Sequence, residues 1–217
     1  MDGNRRWARA RGLPLLEGHR HGYNRLKDVG EWCLERGVTT TTFYAFSTEN
    51  WNRSKHEVSY LMRLLLRALT TEVEGFNRRN IKLRIIGRLS GLSPKIRAAA
   101  RRAMQITRNN TRGVLNIAIN YGGRTELVDA IRRMVRQHLT PAQVTEAAIA
   151  RNLYTAGEPD PDLIIRTSGE QRLSNFLTWQ GVYSELYFTD KHWPAFSEKD
   201  LDTALAEYAR RRRRFGA

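Results

Sequence analysis

Residues 38–53 read VTTTTFYAFSTENWNR, and the change of character inside that stretch decides the fold. The first nine, 38–46, are β-branched and aromatic, the make-up of a strand packed on both faces. The next seven hold hydroxyls, amides, a carboxylate and a guanidinium, with Trp51 the one large apolar side chain among them. A buried strand running straight into a polar loop is the pattern of an α/β protein that works at its strand ends. Upstream, residues 23–36 have helical apolar spacing and stop at Gly37. Downstream, Val58, Leu61, Met62, Leu65, Leu69, Val73 and Phe76 recur at three- and four-residue steps, which predicts one long helix over 55–79. The alternation continues with strand 81–86, a helix from Ser93-Pro94 to about 108, strand 114–119 and helix 125–138. A short helix near 145–152, strands at 162–165 and 184–188, and a last helix capped by Ser197 and Asp200 complete the series. The expected fold class is α/β: a central, mainly parallel sheet flanked by helices on both faces.

The chain has 217 residues, 41% hydrophobic and 27% charged, enough to bury a real core. No repeat, low-complexity linker or shift in composition divides it, and Glu158-Pro159-Asp160-Pro161 reads as an ordinary loop, so residues 1–217 are read as a single domain. The longest apolar runs, such as 114–119, fall far short of the ~20 residues that cross a bilayer, and the opening residues are too polar for a secretory leader. A cytoplasmic protein is expected. Cys33 stands alone, at helical spacing with Leu26 and Val29, which predicts a buried thiol.

The net charge of +15 calls for an anionic partner. Arg outnumbers Lys by about five to one, and its planar fork suits the phosphate oxygens of nucleic acid, diphosphate or lipid headgroup alike. Walker A loops, a GxGxxG after a strand and zinc-spaced Cys or His are all missing, which disfavours nucleotides and zinc. Three loops fall at the carboxyl ends of predicted strands: 47–53, 120–124 (NYGGR) and 166–175 (RTSGEQRLSN). Glycine-freed amides, hydroxyl donors and guanidinium forks are what a diphosphate requires. The opening residues 1–7, MDGNRRW, set a carboxylate that can hold Mg2+ beside groups that can hold phosphate, or else cap a helix.

Residues 1–7 resemble the first signature of the cis-prenyltransferase family, usually met as MDGNGRWA, and 44–53 (YAFSTENWNR) resemble the second. The resemblance continues in order through 83–87 (LRIIG), 116–124 (NIAINYGGR), 162–176 and 185–188 to 213–216 (RRFG), and so spans the chain. It implies a Mg2+-dependent transferase that condenses isopentenyl diphosphate onto an allylic diphosphate, farnesyl diphosphate being the expected one, with formation of a cis double bond. The growing product would lie in an apolar tunnel between sheet and helices. Candidate walls are the apolar faces of 58–73, 43–45 and 83–85, and the small Ala45 points to a long polyprenyl diphosphate.

By the same resemblance Asp2 engages Mg2+ and the diphosphates, and Gly3, Asn4, Arg5 and Arg6 cradle the allylic diphosphate, with His19 nearby. Trp7 and Trp51 would wall the site. Asn50 with Ser47 would accept or relay the proton lost after condensation, with Thr48 and Glu49 in the same loop and Arg53 orienting a diphosphate. Arg166, Arg172, Leu173 and Ser174 would hold isopentenyl diphosphate, and Glu185 would help Asp2 place the metal. The family usually works as a homodimer in which Arg214 reaches towards the partner's site; peripheral contact with a membrane is compatible with the basic surface, and no nucleic acid is expected. The pattern departs at Arg5, Ser168 (each for glycine), Leu15 (for arginine) and Gln171 (for histidine). Members also carry a strand ahead of the first signature, without which Asp2 would lose its support. A basic nucleic-acid-binding domain and a non-catalytic subunit of the same fold are the rival readings.

Overall fold

The computed structural model describes residues 1–211; the expectation for Arg214 falls outside them. The chain opens with a short helix α1 (Asn4–Arg9) and a long one, α2 (Leu15–Glu35). Gly37, in the left-handed region at φ 77°, ends α2 and turns the chain into β1 (Thr40–Ser47). A 3-10 turn over Thr48–Asn52 leads to α3 (Lys55–Thr70), whose first turn is capped by the Ser54 hydroxyl accepting from the Glu57 amide. The single long helix expected over 55–79 is in fact two. It breaks at Thr71 and Glu72 and resumes as α4 (Val73–Arg78). β2 (Ile81–Ile86), α5 (Pro94–Ile106), β3 (Gly113–Tyr121), α6 (Gly123–Arg136), α7 (Glu146–Asn152), β4 (Leu163–Thr167), β5 (Glu185–Thr189) and α8 (Glu198–Arg210) follow as the spacing predicted, within a few residues at their ends.

Among the described residues every strand pairing is parallel, and the layer is in two parts: β1-β3-β2, and β4-β5. β3 is central and buried along nearly its whole length, as a strand covered on both faces should be. The register sets Phe43, Ile117 and Ile85 abreast on one face and Thr42, Asn116 and Arg84 on the other. The first face packs against α2, α3, α4 and α5 through Leu26, Val29, Cys33, Val58, Leu69, Val73, Phe76 and Ile96, each large side chain contributing roughly 1.5–3 kcal/mol on burial. Cys33 belongs to this core, and burial pushes its thiol up to about 11, the inert state expected of it. The opposite face carries a smaller cluster of Ile86, Ala118, Tyr121 and Leu177, backed by Tyr44, Tyr154 and Phe176. Among the described residues no helix is long and apolar enough to cross a membrane.

Between the two parts of the sheet, β1 and β4 each line one side of a cavity of about 920 Å3. Met1 and Asp2 are among the residues that line it. Asp2 is tied down from the β4 side: its amide donates to Thr167 Oγ1 (3.0 Å), and its carbonyl accepts from that hydroxyl (2.9 Å) and from the Trp193 amide (2.9 Å). α1 is set by glycine: a Cβ at Gly18 would fall 2.0 Å from the Asn4 carbonyl oxygen, and one at Gly22 would fall 2.1 Å from Asn4 Oδ1. Each helix-interior glycine costs about 1 kcal/mol relative to alanine, and the close seat of α1 on α2 is what they make possible.

Candidate active site

Asp2 is the centre of the rim formed where the strand-end loops meet. Arg166, the fourth residue of β4, donates from Nη2 to Asp2 Oδ2 at 3.1 Å and from Nη1 to Ser174 Oγ at 2.8 Å, and also bonds the Arg172 carbonyl. Gly3, left-handed at φ 93°, turns its amide back onto Asp2 Oδ1 at 2.7 Å, and Arg6 Nη2 lies 3.5 Å from the same oxygen. Burial alone would raise the Asp2 carboxyl; the hydrogen bonds from Arg166 and Gly3 and the charges of Arg166 and Arg6 outweigh it and hold the group below the ordinary carboxylate range. Asp2 is therefore an ionised carboxylate at neutral pH, with 38% of its side chain exposed to whatever enters. Arg172 pairs with Glu170 at 2.5 Å, and Glu170 also meets Arg6 at 3.2 Å, so the cations of the rim are held apart by carboxylates.

The loop after β1 comes to the same rim. Ser47 and Asn50 cap one another: the Ser47 side chain accepts from the Asn50 amide, and the Ser47 amide donates to Asn50 Oδ1 at 3.2 Å. Asn175 ties the three loops together and was not among the expected residues. Its Nδ2 donates to Glu49 Oε1 at 3.0 Å, its carbonyl accepts from the Gly123 amide at 2.7 Å, and its Oδ1 accepts from the Arg124 amide at 2.8 Å. Asp2, Ser47, Glu49, Asn50, Arg53, Arg166, Arg172, Leu173 and Ser174 all line the cavity, so the structure gathers nine of the expected residues round one opening. Thr48 packs behind them, against Gly122.

A second cluster stands beside the rim and turns on Glu57, which the sequence reading passed over. Its Oε1 accepts from His19 Nε2 and from Arg53 Nη1, both at 2.9 Å, and Arg5 Nη1 lies 3.7 Å from Oε2. Glu57 is 8% exposed and His19 is 6% exposed. Burial would raise Glu57, but the His19 hydrogen bond and the nearby cations hold its pKa down. For His19 burial prevails over Glu57 and lowers the pKa. The pair is a neutral imidazole, donating from Nε2, on an ionised carboxylate.

Other expected residues stand elsewhere. Trp7 is buried, its ring tilted at 44° against that of His21 with centroids 4.6 Å apart and the Arg11 guanidinium over it, so it fixes α1 to α2 and does not wall the opening. Trp51 is 41% exposed, donates to Asn120 Oδ1 at 2.8 Å and packs on Phe46. Asn4 opens α1 and faces Gly22 of α2, its Oδ1 buried without a bond. Glu185 opens β5 opposite Leu163, whereas Asp2 is bonded at Thr167, so the two carboxylates stand at opposite ends of β4 and β5, and Glu185 pairs with Arg211 at 2.8 Å. Among the described residues no three acidic, His or Cys side chains converge as a metal cage. Asp2 alone fits Mg2+ in the form this ion often takes, with one carboxylate and the remaining positions filled by water and substrate phosphate. Of the expected tunnel walls, Phe43 lines the cavity, while Val58, Leu69, Val73, Leu83 and Ile85 are buried in the core.

Comparison with known proteins agrees with this geometry. Residues 1–216 match the family model described as putative undecaprenyl diphosphate synthase. The chain is 44% identical to a (2E,6E)-farnesyl-diphosphate-specific ditrans,polycis-undecaprenyl-diphosphate synthase of Legionella pneumophila, over 100% of this chain and 92% of that protein. It is 47% identical to a geranylgeranyl-diphosphate-specific tritrans,polycis-undecaprenyl-diphosphate synthase of Methanopyrus kandleri, over 100% of this chain and 82% of that one. Among solved structures, lavandulyl diphosphate synthase from Lavandula x intermedia, in complex with dimethylallyl diphosphate, superposes with a TM-score of 0.95 at 37% identity, covering 100% of this chain and 95% of the other. With the motif order, the parallel strands and the arginine-flanked Asp2 all in place, the chain belongs to the undecaprenyl diphosphate synthase family of cis-prenyltransferases.

Proposed function

We propose that this protein condenses isopentenyl diphosphate onto an allylic prenyl diphosphate, setting a cis double bond, and that Mg2+ is required. The observation that carries the reading is the direct pairing of Asp2 with Arg166 at the opening where the β1 and β4 loops meet. An ionised carboxylate set among guanidinium groups is poorly explained as surface decoration, because exposed pairs contribute at most ~1 kcal/mol. It is well explained if diphosphates enter between them. Asp2 would take a diphosphate-borne Mg2+, which supplies neutralisation of the departing diphosphate. Arg166, Arg172 and Ser174 present donors for one diphosphate, and Gly3, Arg5, Arg6 and Arg53 present donors for the other. Cations already fixed by carboxylates need little reorganisation as charge develops. The reciprocally capped Ser47 and Asn50 stand at the same opening, where the proton must leave.

The tail needs apolar surface. Leu61, Met62, Leu65 and Leu66 on α3 and Ala45 on β1 are apolar yet only partly buried against the core, and we infer that the growing chain lies in a crease along them. Ala45→Leu is expected to shorten the products; unchanged lengths on chromatography would remove the chain from that crease. Overall likeness does not fix the allylic partner, since relatives of 44% and 47% identity are named for different ones. The deciding assay supplies farnesyl diphosphate, labelled isopentenyl diphosphate and Mg2+. Labelled butanol-extractable product that vanishes with a chelator supports the reading. Absence of product with farnesyl, geranylgeranyl and dimethylallyl diphosphates alike would leave a non-catalytic relative. The homodimer completed by Arg214 remains part of this proposal, and Arg214→Ala should cut turnover with the sheet intact.

A further inference from the structure

Ser168 is a costly residue for its place. Its backbone lies in the left-handed region at φ 84°, its side chain is buried at 5% exposure, and a non-glycine residue held there costs on the order of 1 kcal/mol. What the hydroxyl gains is visible. Ser168 Oγ lies 2.5 Å from His192 Nδ1, and the Ser168 amide donates to the Lys191 carbonyl at 2.8 Å. The pair stands directly behind the rim. A Cβ built on Gly3 would fall 2.1 Å from Ser168 Oγ and 2.8 Å from His192 Nδ1, so the turn that follows Asp2 rests on both side chains. The Ser168 carbonyl accepts from Arg6 Nη1 at 3.1 Å, and the amide next to His192, that of Trp193, holds the Asp2 carbonyl.

We infer that Ser168 and His192 form a positioning pair that seats Gly3 and Arg6 for the allylic diphosphate. The inference rests on the prenyl-transfer reading above and extends it to residues that do not themselves line the opening. The hydrogen bond locks the loop after β4 to the segment after β5, and both then form one floor beneath the Asp2 turn. Loosening that floor frees Gly3 and Arg6, which sit on it directly. Arg172 and Ser174 stand farther along the loop, held by bonds to Glu170 and Arg166; Arg172 is linked to Arg6 through the Glu170 carboxylate they share, while Ser174 is held by Arg166.

The test is steady-state kinetics of the full chain with each substrate varied separately, beside thermal melting. Ser168→Gly removes the hydroxyl and relieves the left-handed strain; His192→Leu removes the ring nitrogen; His192→Asn supplies a side-chain amide near the place of Nδ1. Ser168→Gly is expected to melt no lower than the wild type and yet to raise the allylic KM about fivefold to tenfold, the loss of roughly one hydrogen bond's worth of positioning. The isopentenyl diphosphate KM should stay within about twofold. His192→Leu should reproduce the split, and His192→Asn should recover most of the allylic KM. Unchanged kinetics in Ser168→Gly, equal losses for both substrates, or losses that follow the melting temperature alone would each overturn the inference. A wild-type protein without turnover would instead count against the prenyl-transfer reading, so the two failures are distinguishable.

Discussion

Asp2→Asn is expected to lower kcat by about 100- to 1000-fold, on the order of the 2.7–4 kcal/mol lost when a preorganised electrostatic partner of a transition state is removed. The substituted amide keeps the size of the side chain and can still accept from the Gly3 amide. What disappears is the charge that faces Arg166 at 3.1 Å and Arg6 at 3.5 Å, together with the carboxylate available to Mg2+. The backbone of Asp2 stays bonded to Thr167 and Trp193, so the fold should survive. Single-turnover rates under saturating Mg2+, with circular dichroism as the folding control, decide the matter. A near-wild-type rate would show that the carboxylate takes no part in the chemistry. Because the Asp2 pKa is held below its ordinary value, wild-type activity should not fall on account of this group until the pH drops below the ordinary aspartate range.

Much of this architecture could be read from local pattern. β2 is legible at 81–86 as the next strand of the alternation, and α5 because Ser93-Pro94 is a capping signal with a mechanism behind it. The break between α3 and α4 left no mark in the periodicity, since Val73 and Phe76 continue the apolar face into the same core after Thr71 and Glu72. α1 is six residues long, too short for any period to show. The division of the sheet depends on which strand edges meet, and hydrophobic pattern carries no such information. Among site residues, Asp2, Asn50 and Arg166 announced themselves by motif. Glu57 did not, because Ser54 followed by Glu three residues later is the ordinary signature of a helix start, in which the Glu turns back on the cap. Here Ser54 does cap the helix, but Glu57 points away to His19 and Arg53. Asn175 was equally silent, as its work depends on a left-handed turn (φ 65°) that joins three loops distant in sequence.

Glu57→Leu is expected to give the largest loss of stability of any single change at the site, about 2–3 kcal/mol, with activity falling as well. Truncating one member of a buried ion pair typically costs 3–5 kcal/mol because the remaining charge is stranded; here Arg53, with 30% of its side chain exposed, can turn towards water and recover part of that. His19 cannot, being buried. Glu57→Gln should be far milder, since its amide oxygen can still accept from His19 and Arg53 while the attraction for Arg5 is lost. Acid should act in the same direction as the Leu variant. His19 is neutral in the fold with its pKa below the ordinary 6.5, and Glu57 is ionised with its pKa below the ordinary 4.5. Both contributions are therefore complete above those ordinary values and drain away as the pH falls, because the unfolded chain binds the protons first. Melting temperatures measured from pH 8 to pH 4 should fall for the wild type first through the imidazole range and then through the carboxylate range, and Glu57→Gln should shrink the second step, to which Asp2 and Asp129, also held below the ordinary value, contribute as well. A Glu57→Leu variant as stable as the wild type would mean that Arg5, Arg53 and His19 do not depend on this carboxylate. The empty site would then have to hold Arg5 and Arg53 by other means before any diphosphate arrives.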